Sequence, residues 1–314
     1  MDGRVNADVA SRRLERSLAM GKSSKDKRDI YYRKAKEEGW RARSAFKLLQ
    51  IDESFDIFRG VKHAVDLCAA PGSWSQVLSR KLYLPAVRAG VSESELPKIV
   101  AIDLQPMAPI EGVTTIQGDI TSLDKVLEVL SHFDGKQADL IVGDGAPDVT
   151  GLHDLDEFMQ AQLILAGLTV ATHILKPGGT FIAKIFRGKD VSLLYSQLKI
   201  FFPDVTCAKP KSSRNSKAFI VCRGYAPPEG FEPHHLTRIL EARATSHTAG
   251  GEDGTVGTMS WPNNVLVPFL ACGDLSGYDA DQSYALDDTK TRLGPVQPPT
   301  TPAYKSAIEL LKRK

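Results

Sequence analysis

A lysine stands inside a run that is otherwise apolar. Lys184 is flanked by Ile182, Ile185 and Phe186, and a desolvated ammonium is costly unless it is paired. Two readings explain such a residue: its chain snorkels from a sheet edge, or it is buried beside a partner with a lowered pKa. Asp144 supplies the partner. It lies between Gly143 and Gly145 after the expected buried strand 138–142, where an open α/β sheet places its chemistry. With a carboxylate at the tip of a neighbouring strand, the paired, functional reading is favoured, and such a pair can hold and move a proton.

The elements that must position this pair are organised around AVDLCAAPGSWSQ, residues 64–76. Ala64, Val65 and Leu67 end a buried strand, Cys68 to Gly72 form a turn of small residues, and Ser73 to Gln76 open a helix. A strand, a Gly-containing turn and a helix N-terminus hold nucleotide-like ligands in doubly wound folds, because small side chains let the backbone approach closely. G-x-G-x-x-G is absent, and no G-K-[ST] follows the glycine, so neither a dinucleotide turn nor a P-loop is present. Further strands are expected over 99–103, ending in Asp103, and over 114–120, ending in Gly118-Asp119. Others span 138–142, 180–186 and 218–222, with helices over 122–130, 156–175 and 193–202. An acid at the second strand's tip suits a ribose diol. Residues 83–98 read as a polar surface loop. These elements predict a doubly wound, Rossmann-like α/β sheet with helices on both faces.

D-x-C-A-A-P-G-S-W-S-Q resembles the S-adenosylmethionine-binding turn of the FtsJ-type ribose 2′-O-methyltransferases. RARSAFKL, DGAPDVTG, LKPGGTFIAKIFRG and KPKSSRNS occur in that family's order, from about Tyr31 to Tyr225. The resemblance implies an S-adenosylmethionine-dependent methyltransferase. It places the cofactor on Gly72, Trp74, Asp103, Asp119 and Asp144, and catalysis on Lys47, Asp144 and Lys184, with Lys184 as general base. The family's fourth catalytic residue, a glutamate, has no counterpart: Lys217 stands before Ala218-Phe219, and no acid lies between Lys209 and Gly224. The tail segment PFLACGDLSGYDADQSYAL resembles the eukaryotic cytoplasmic branch that methylates the tRNA anticodon loop. tRNA and an auxiliary protein that selects the nucleotide are therefore the implied partners. Two alternatives remain at this stage: a catalytically impaired RNA-binding or scaffold homologue, and 2′-O-methylation of ribosomal RNA or an mRNA cap.

Charge separates the two ends. Residues 1–47 carry fourteen Lys and Arg against seven Asp and Glu, whereas residues 252–288 carry seven acids and no Lys or Arg, which suggests different partners for each end. Within the basic head, 25–49 reads as two helical pieces broken near Gly39. Arg41 and Arg43 there, with Lys209, Lys211 and Arg214 of the loop 209–217, are candidate RNA-phosphate contacts; the alternative is a solvated basic surface.

The 314 residues, 42% hydrophobic and 25% charged, suit a soluble α/β core with some chain left for termini. No run is long and apolar enough for a transmembrane helix, and the first twenty residues have no secretory h-region. Four scattered cysteines without C-x-x-C spacing point to neither zinc nor disulfides, and to a reducing, intracellular setting, which the resemblance narrows to the cytoplasm. Residues 1–20 read as a disordered extension, 21–225 as the methyltransferase domain and 226–314 as an extended acidic tail for partner docking. Residues 265–272 are too apolar for a free linker and are expected to pack on the core or on another protein.

Overall fold

The structure, a computed structural model, describes residues 29–146, 153–186, 191–213, 217–233 and 269–272, and single tail positions at 278, 284, 285, 289, 291, 293 and 294. Strands β1 (His63–Leu67), β2 (Lys98–Asp103), β3 (Val113–Gln117), β4 (Ala138–Gly143) and β5 (Leu175–Phe186) pair in parallel. β6 (Asp204–Pro210), β7 (Lys217–Arg223) and β8 (Phe269–Cys272) complete one sheet in the order β3-β2-β1-β4-β5-β7-β6-β8. β7 runs antiparallel to both β5 and β6, and β8 lies parallel to β6.

Helices cover both faces. α1 (Ile30–Glu37), α2 (Ala45–Phe55), α3 (Ser73–Leu78) and α4 (Leu84–Arg88) precede β2, while α5 (Leu123–Ser131), α6 (His153–Ile174) and α7 (Val191–Phe201) follow β3. On one face Val126, Leu168 and Leu198 pack against Val65, Ile102 and Phe181. On the other, Leu48, Ile51, Trp74 and Val77 pack against Ala64, Ile182 and Phe219. Burial on both faces is why the central strands read as continuous apolar runs rather than alternating ones. The chain leaves β1 toward β2 and β3, then returns to the far side of β1 with β4. That reversal opens a crevice beyond the carboxyl ends of β1 and β4.

Several elements differ from the sequence expectation. Residues 83–98 are no simple loop: a π-helical turn at Ser79–Tyr83 carries α3 into α4, whose first turn contains Pro85, a position where proline costs no hydrogen bond. β6 was hidden because its seven residues include Asp, Thr, Lys and Pro; its Val205 and Cys207 face one core layer and Ala208 the other. β5 begins at Leu175 and takes in Lys176-Pro177-Gly178-Gly179, where Gly178 and Gly179 exchange backbone hydrogen bonds with Tyr225. Phe269–Cys272, from the stretch read as tail, adds a strand to the sheet edge.

The acidic tail also meets the basic head. Tyr31 Oη donates to the Tyr278 carbonyl at 2.9 Å, and Arg33 Nη1 donates to the Ala285 carbonyl at 2.8 Å. Lys34 lies over the Tyr278 ring, which packs edge-on against Tyr284. Backbone carbonyls and aromatic rings of the tail thus meet the basic head. The 1–20 extension lies outside the described residues, as do Trp261 and residues 265–268.

Candidate active site

Lys47 projects from the first turn of α2, and that turn is fixed from below by α3. Trp74 Nε1 donates to the Ser44 carbonyl at 2.8 Å, the hydroxyls of Ser44 and Ser73 are hydrogen-bonded, and the Arg41 amide donates to Gln76 Oε1 at 2.8 Å. Buried Leu48 and Ile51 set the rotation of the helix on the sheet. The Ser-Trp-Ser-Gln segment therefore holds the Lys47 helix, a role its sequence did not reveal; the only signal was polar side chains at buried helical positions.

Three elements converge on Asp144, which follows β4. Lys47 Nζ lies 3.0 and 2.7 Å from the two carboxylate oxygens. Lys184, near the end of β5, places its Nζ 2.7 Å from Asp144 Oδ1 and also donates to the Asp144 main-chain carbonyl. Side-chain exposures of 13% for Lys47, 15% for Asp144 and 7% for Lys184 show a largely desolvated cluster. Burial alone would push the Asp144 carboxyl up, but the adjacent Lys47 and Lys184 charges and their hydrogen bonds outweigh it and hold the carboxyl below its ordinary range. Burial wins at Lys47: despite Asp144, desolvation and the neighbouring Lys184 charge bring its amine down to about 8. Phe219, opposite Lys184 in the β5–β7 ladder, lies under Lys47 Nζ at 5.6 Å and walls the cluster off from water.

Beside this cluster is a cleft of about 770 Å³ in the crevice between the strand ends. Cys68, Ala70 and Pro71 form its floor, and Asp103, Asp119 and Asp144 line it with carboxylates. Asp103 is anchored by accepting the Ala70 and Gln105 amides, and Asp119 by accepting the Thr121 amide. Leu104, Met107 and Met159 supply an apolar lip. Burial pushes the Cys68 thiol up to about 12, so it lines the cleft as an inert neutral group. Under the floor, Asp66 accepts from Ser75 Oγ at 2.6 Å. Burial raises its carboxyl to about 7.

The structure brings together Lys47, Asp144 and Lys184, and puts Asp103, Asp119 and Asp144 on one cleft. It places the remaining expected residues elsewhere. Neither Gly72 nor Trp74 is among the cleft-lining residues. Gly72, at φ +99°, starts α3, and a Cβ there would meet Arg41 Nη1 at 2.5 Å. Trp74 is buried against Phe219. Arg41 is buried rather than offered to a phosphate: its guanidinium donates to the carbonyls of Pro71 at 3.1 Å and Pro109 at 2.9 Å, clamping the turn. Arg43 pairs with Asp29 and donates to the Ser212 carbonyl. Lys209 Nζ closes the following loop on the carbonyls of Ser213 and Lys217, both at 2.9 Å. These cations satisfy backbone carbonyls that burial would otherwise orphan. Lys211 is half-buried on the same turn, and Arg214 lies outside the described residues.

Residues 40–225 match the family model described as FtsJ-like methyltransferase. The chain belongs to the FtsJ-like methyltransferase family. FtsJ-like relatives extend over nearly its whole length. One from Mus musculus is 59% identical over 93% of this chain and 87% of its own; one from Schizosaccharomyces pombe is 56% identical over 94% and 99% respectively. Both are named tRNA (cytidine(32)/guanosine(34)-2′-O)-methyltransferase. A Drosophila melanogaster relative, 46% identical, is named tRNA (guanosine(34)-2′-O)-methyltransferase. Among solved structures, a ribosomal RNA methyltransferase from Plasmodium falciparum superposes with a TM-score of 0.53 at 27% identity, over 60% of this chain and all of that one.

Proposed function

We propose that this FtsJ-like enzyme transfers a methyl group from S-adenosylmethionine to ribose 2′-hydroxyls in the tRNA anticodon loop, at positions 32 and 34. The observation that carries the reading is the convergence of two lysines and one aspartate at the edge of an acid-lined cleft, in a chain whose nearly full-length relatives bear that name. The donor set suits the cofactor. Asp103 can accept from a ribose diol, Asp119 from an adenine amine, and the anionic cleft favours a sulfonium cation. When bound, S-adenosylmethionine supplies an electrophilic methyl group and leaves as a neutral thioether.

The chain's own residues have a narrower task. A ribose hydroxyl is a weak nucleophile, so it must be held in line and relieved of its proton. In this reading Lys184 takes that proton at Nζ, Asp144 fixes the Lys184 amine through Oδ1, and Lys47 holds the carboxylate from its other oxygen. No helix among the described residues is long and apolar enough to cross a membrane. We place the reaction in the cytoplasm, with buried free thiols at Cys207 and Cys222 suiting a reducing compartment. We further propose that a separate auxiliary protein selecting the nucleotide docks on the segment beyond Pro227. A chain ending at Tyr225 would then bind cofactor but lose partner-dependent methylation.

One observation favours a second reading, that of an impaired enzyme retained for RNA binding: Lys217, beside the Phe186 ring, stands where the family pattern has its glutamate. The test of both is methyl transfer from labelled S-adenosylmethionine to anticodon-loop transcripts, mapped nucleotide by nucleotide. Labelling of the 2′-oxygens at 32 and 34 supports the first reading. Retained tRNA binding without labelling supports the second.

A further inference from the structure

Gln160, on α6, touches neither the cleft nor solvent: it is 2% exposed. Its Nε2 donates to the Lys184 carbonyl at 3.0 Å and to the Gly145 carbonyl at 3.2 Å. Both neighbours are acceptors, so only the amino end of the amide can face them, and the orientation of the group is decided by chemistry. Gly145 directly follows Asp144, so one amide bridges the residue that carries the proposed base and the loop that carries its carboxylate.

This bridge crosses a gap that backbone pairing does not close. The parallel ladder between β4 and β5 ends at Gly143–Ala183, one residue short of the reacting pair. Beyond that point Asp144 and Lys184 are free of ladder bonds to each other, and Gln160 supplies the missing tie from a rigid helix. The other end of its amide has no comparable purpose: Oε1 is buried with no hydrogen-bond partner among the described residues. An orphaned buried acceptor destabilises the fold. A methionine or leucine would fill the site among Leu163, Ile164 and Phe181 without that cost. A residue that is unfavourable for packing but bonded to both halves of the site is explained by the site.

We propose that Gln160 is a positioning residue, whose amide sets the separation of the Lys184 amine from the Asp144 carboxylate. The proposal rests on the methyl-transfer reading above. Gln160→Met keeps the length and removes both donors. Single-turnover methyl transfer to an anticodon-loop transcript, with enzyme in excess, should fall about 10- to 100-fold. The KM for tRNA and the Kd for S-adenosylmethionine should stay within about threefold when measured well below the variant's thermal midpoint, since the two carbonyls lose their donor as the orphaned acceptor disappears. Gln160→Leu should behave likewise. A single-turnover rate within threefold of wild type overturns the proposal, as does a fall in rate matched by an equal loss of cofactor affinity. Failure of the wild-type chain to label the transcript would instead sink the underlying reading, so the two failures are distinguishable.

Discussion

Lys184 meets Asp144 twice, through its carboxylate at 2.7 Å and through its main-chain carbonyl. The second contact fixes the amine even when the carboxylate turns toward Lys47, so the two lysines can share one anion without losing register. The site's chemistry and its stability both depend on this sharing.

Lys184→Ala should lower the methyl-transfer rate by roughly 10²–10⁴-fold, the usual worth of a positioned base, with little change in cofactor affinity. Single-turnover kinetics and calorimetry on the same preparation check it. A rate near wild type would move the proton to another group, Lys47 first among them.

Lys47 titrates near 8 in the folded chain against 10.5 for the free side chain. Between those values the unfolded chain binds the extra proton, so this group adds stability as pH rises from about 8 to 10.5. Urea unfolding of wild type and Lys47→Met at pH 7.5, 9 and 10 should show the difference moving in favour of wild type. A flat difference would place the lowered proton affinity elsewhere.

Asp144→Ala should cost about 3–5 kcal/mol, because it leaves two desolvated ammonium groups unpaired. The cost should shrink in the double variant with Lys47→Met, since the two residues are in direct contact and their effects are not additive. Denaturant midpoints of the four proteins give the coupling.

Asp66 behaves oppositely to Asp144. Its carboxyl is raised to about 7 by burial, so the folded chain keeps a proton that the unfolded chain has lost, and stability falls as pH climbs from about 4 to 7. Each tenfold difference in proton affinity is worth about 1.4 kcal/mol. Asp66→Asn still accepts from Ser75 and should flatten that slope, read by unfolding at pH 5 and pH 8.

Arg41→Ala separates clamp from phosphate contact. Loss of its bonds to Pro71 and Pro109 should weaken S-adenosylmethionine binding about tenfold, the lower end of what one charge-assisted hydrogen bond contributes. The salt dependence of tRNA binding should be unchanged. A phosphate contact would instead lower the salt slope by about one and spare the cofactor.

The fold class and the acids of the cleft were legible along the chain. Central strands buried on both faces announce themselves as largely apolar runs, and Asp103, Asp119 and Asp144 each stand just at or beyond a strand's carboxyl end, where a parallel sheet presents its ligand. Lys184 was legible for the opposite reason, as a cation out of place. The partners of the basic residues were not legible, because composition reports charge but not what the charge faces: Arg41, Arg43 and Lys209 donate to carbonyls contributed by residues up to 169 positions away. The tethering roles of Ser44, Trp74, Gln76 and Gln160 were not legible, since an amide or indole in a helix gains such a purpose only when another element supplies its acceptor. Local sequence fixes which residues can end a strand or cap a turn, because those preferences are set by neighbours in the chain. Which amine reaches Asp144, and what holds it there, was decided by the packing of α2, α3 and α6 on a finished sheet.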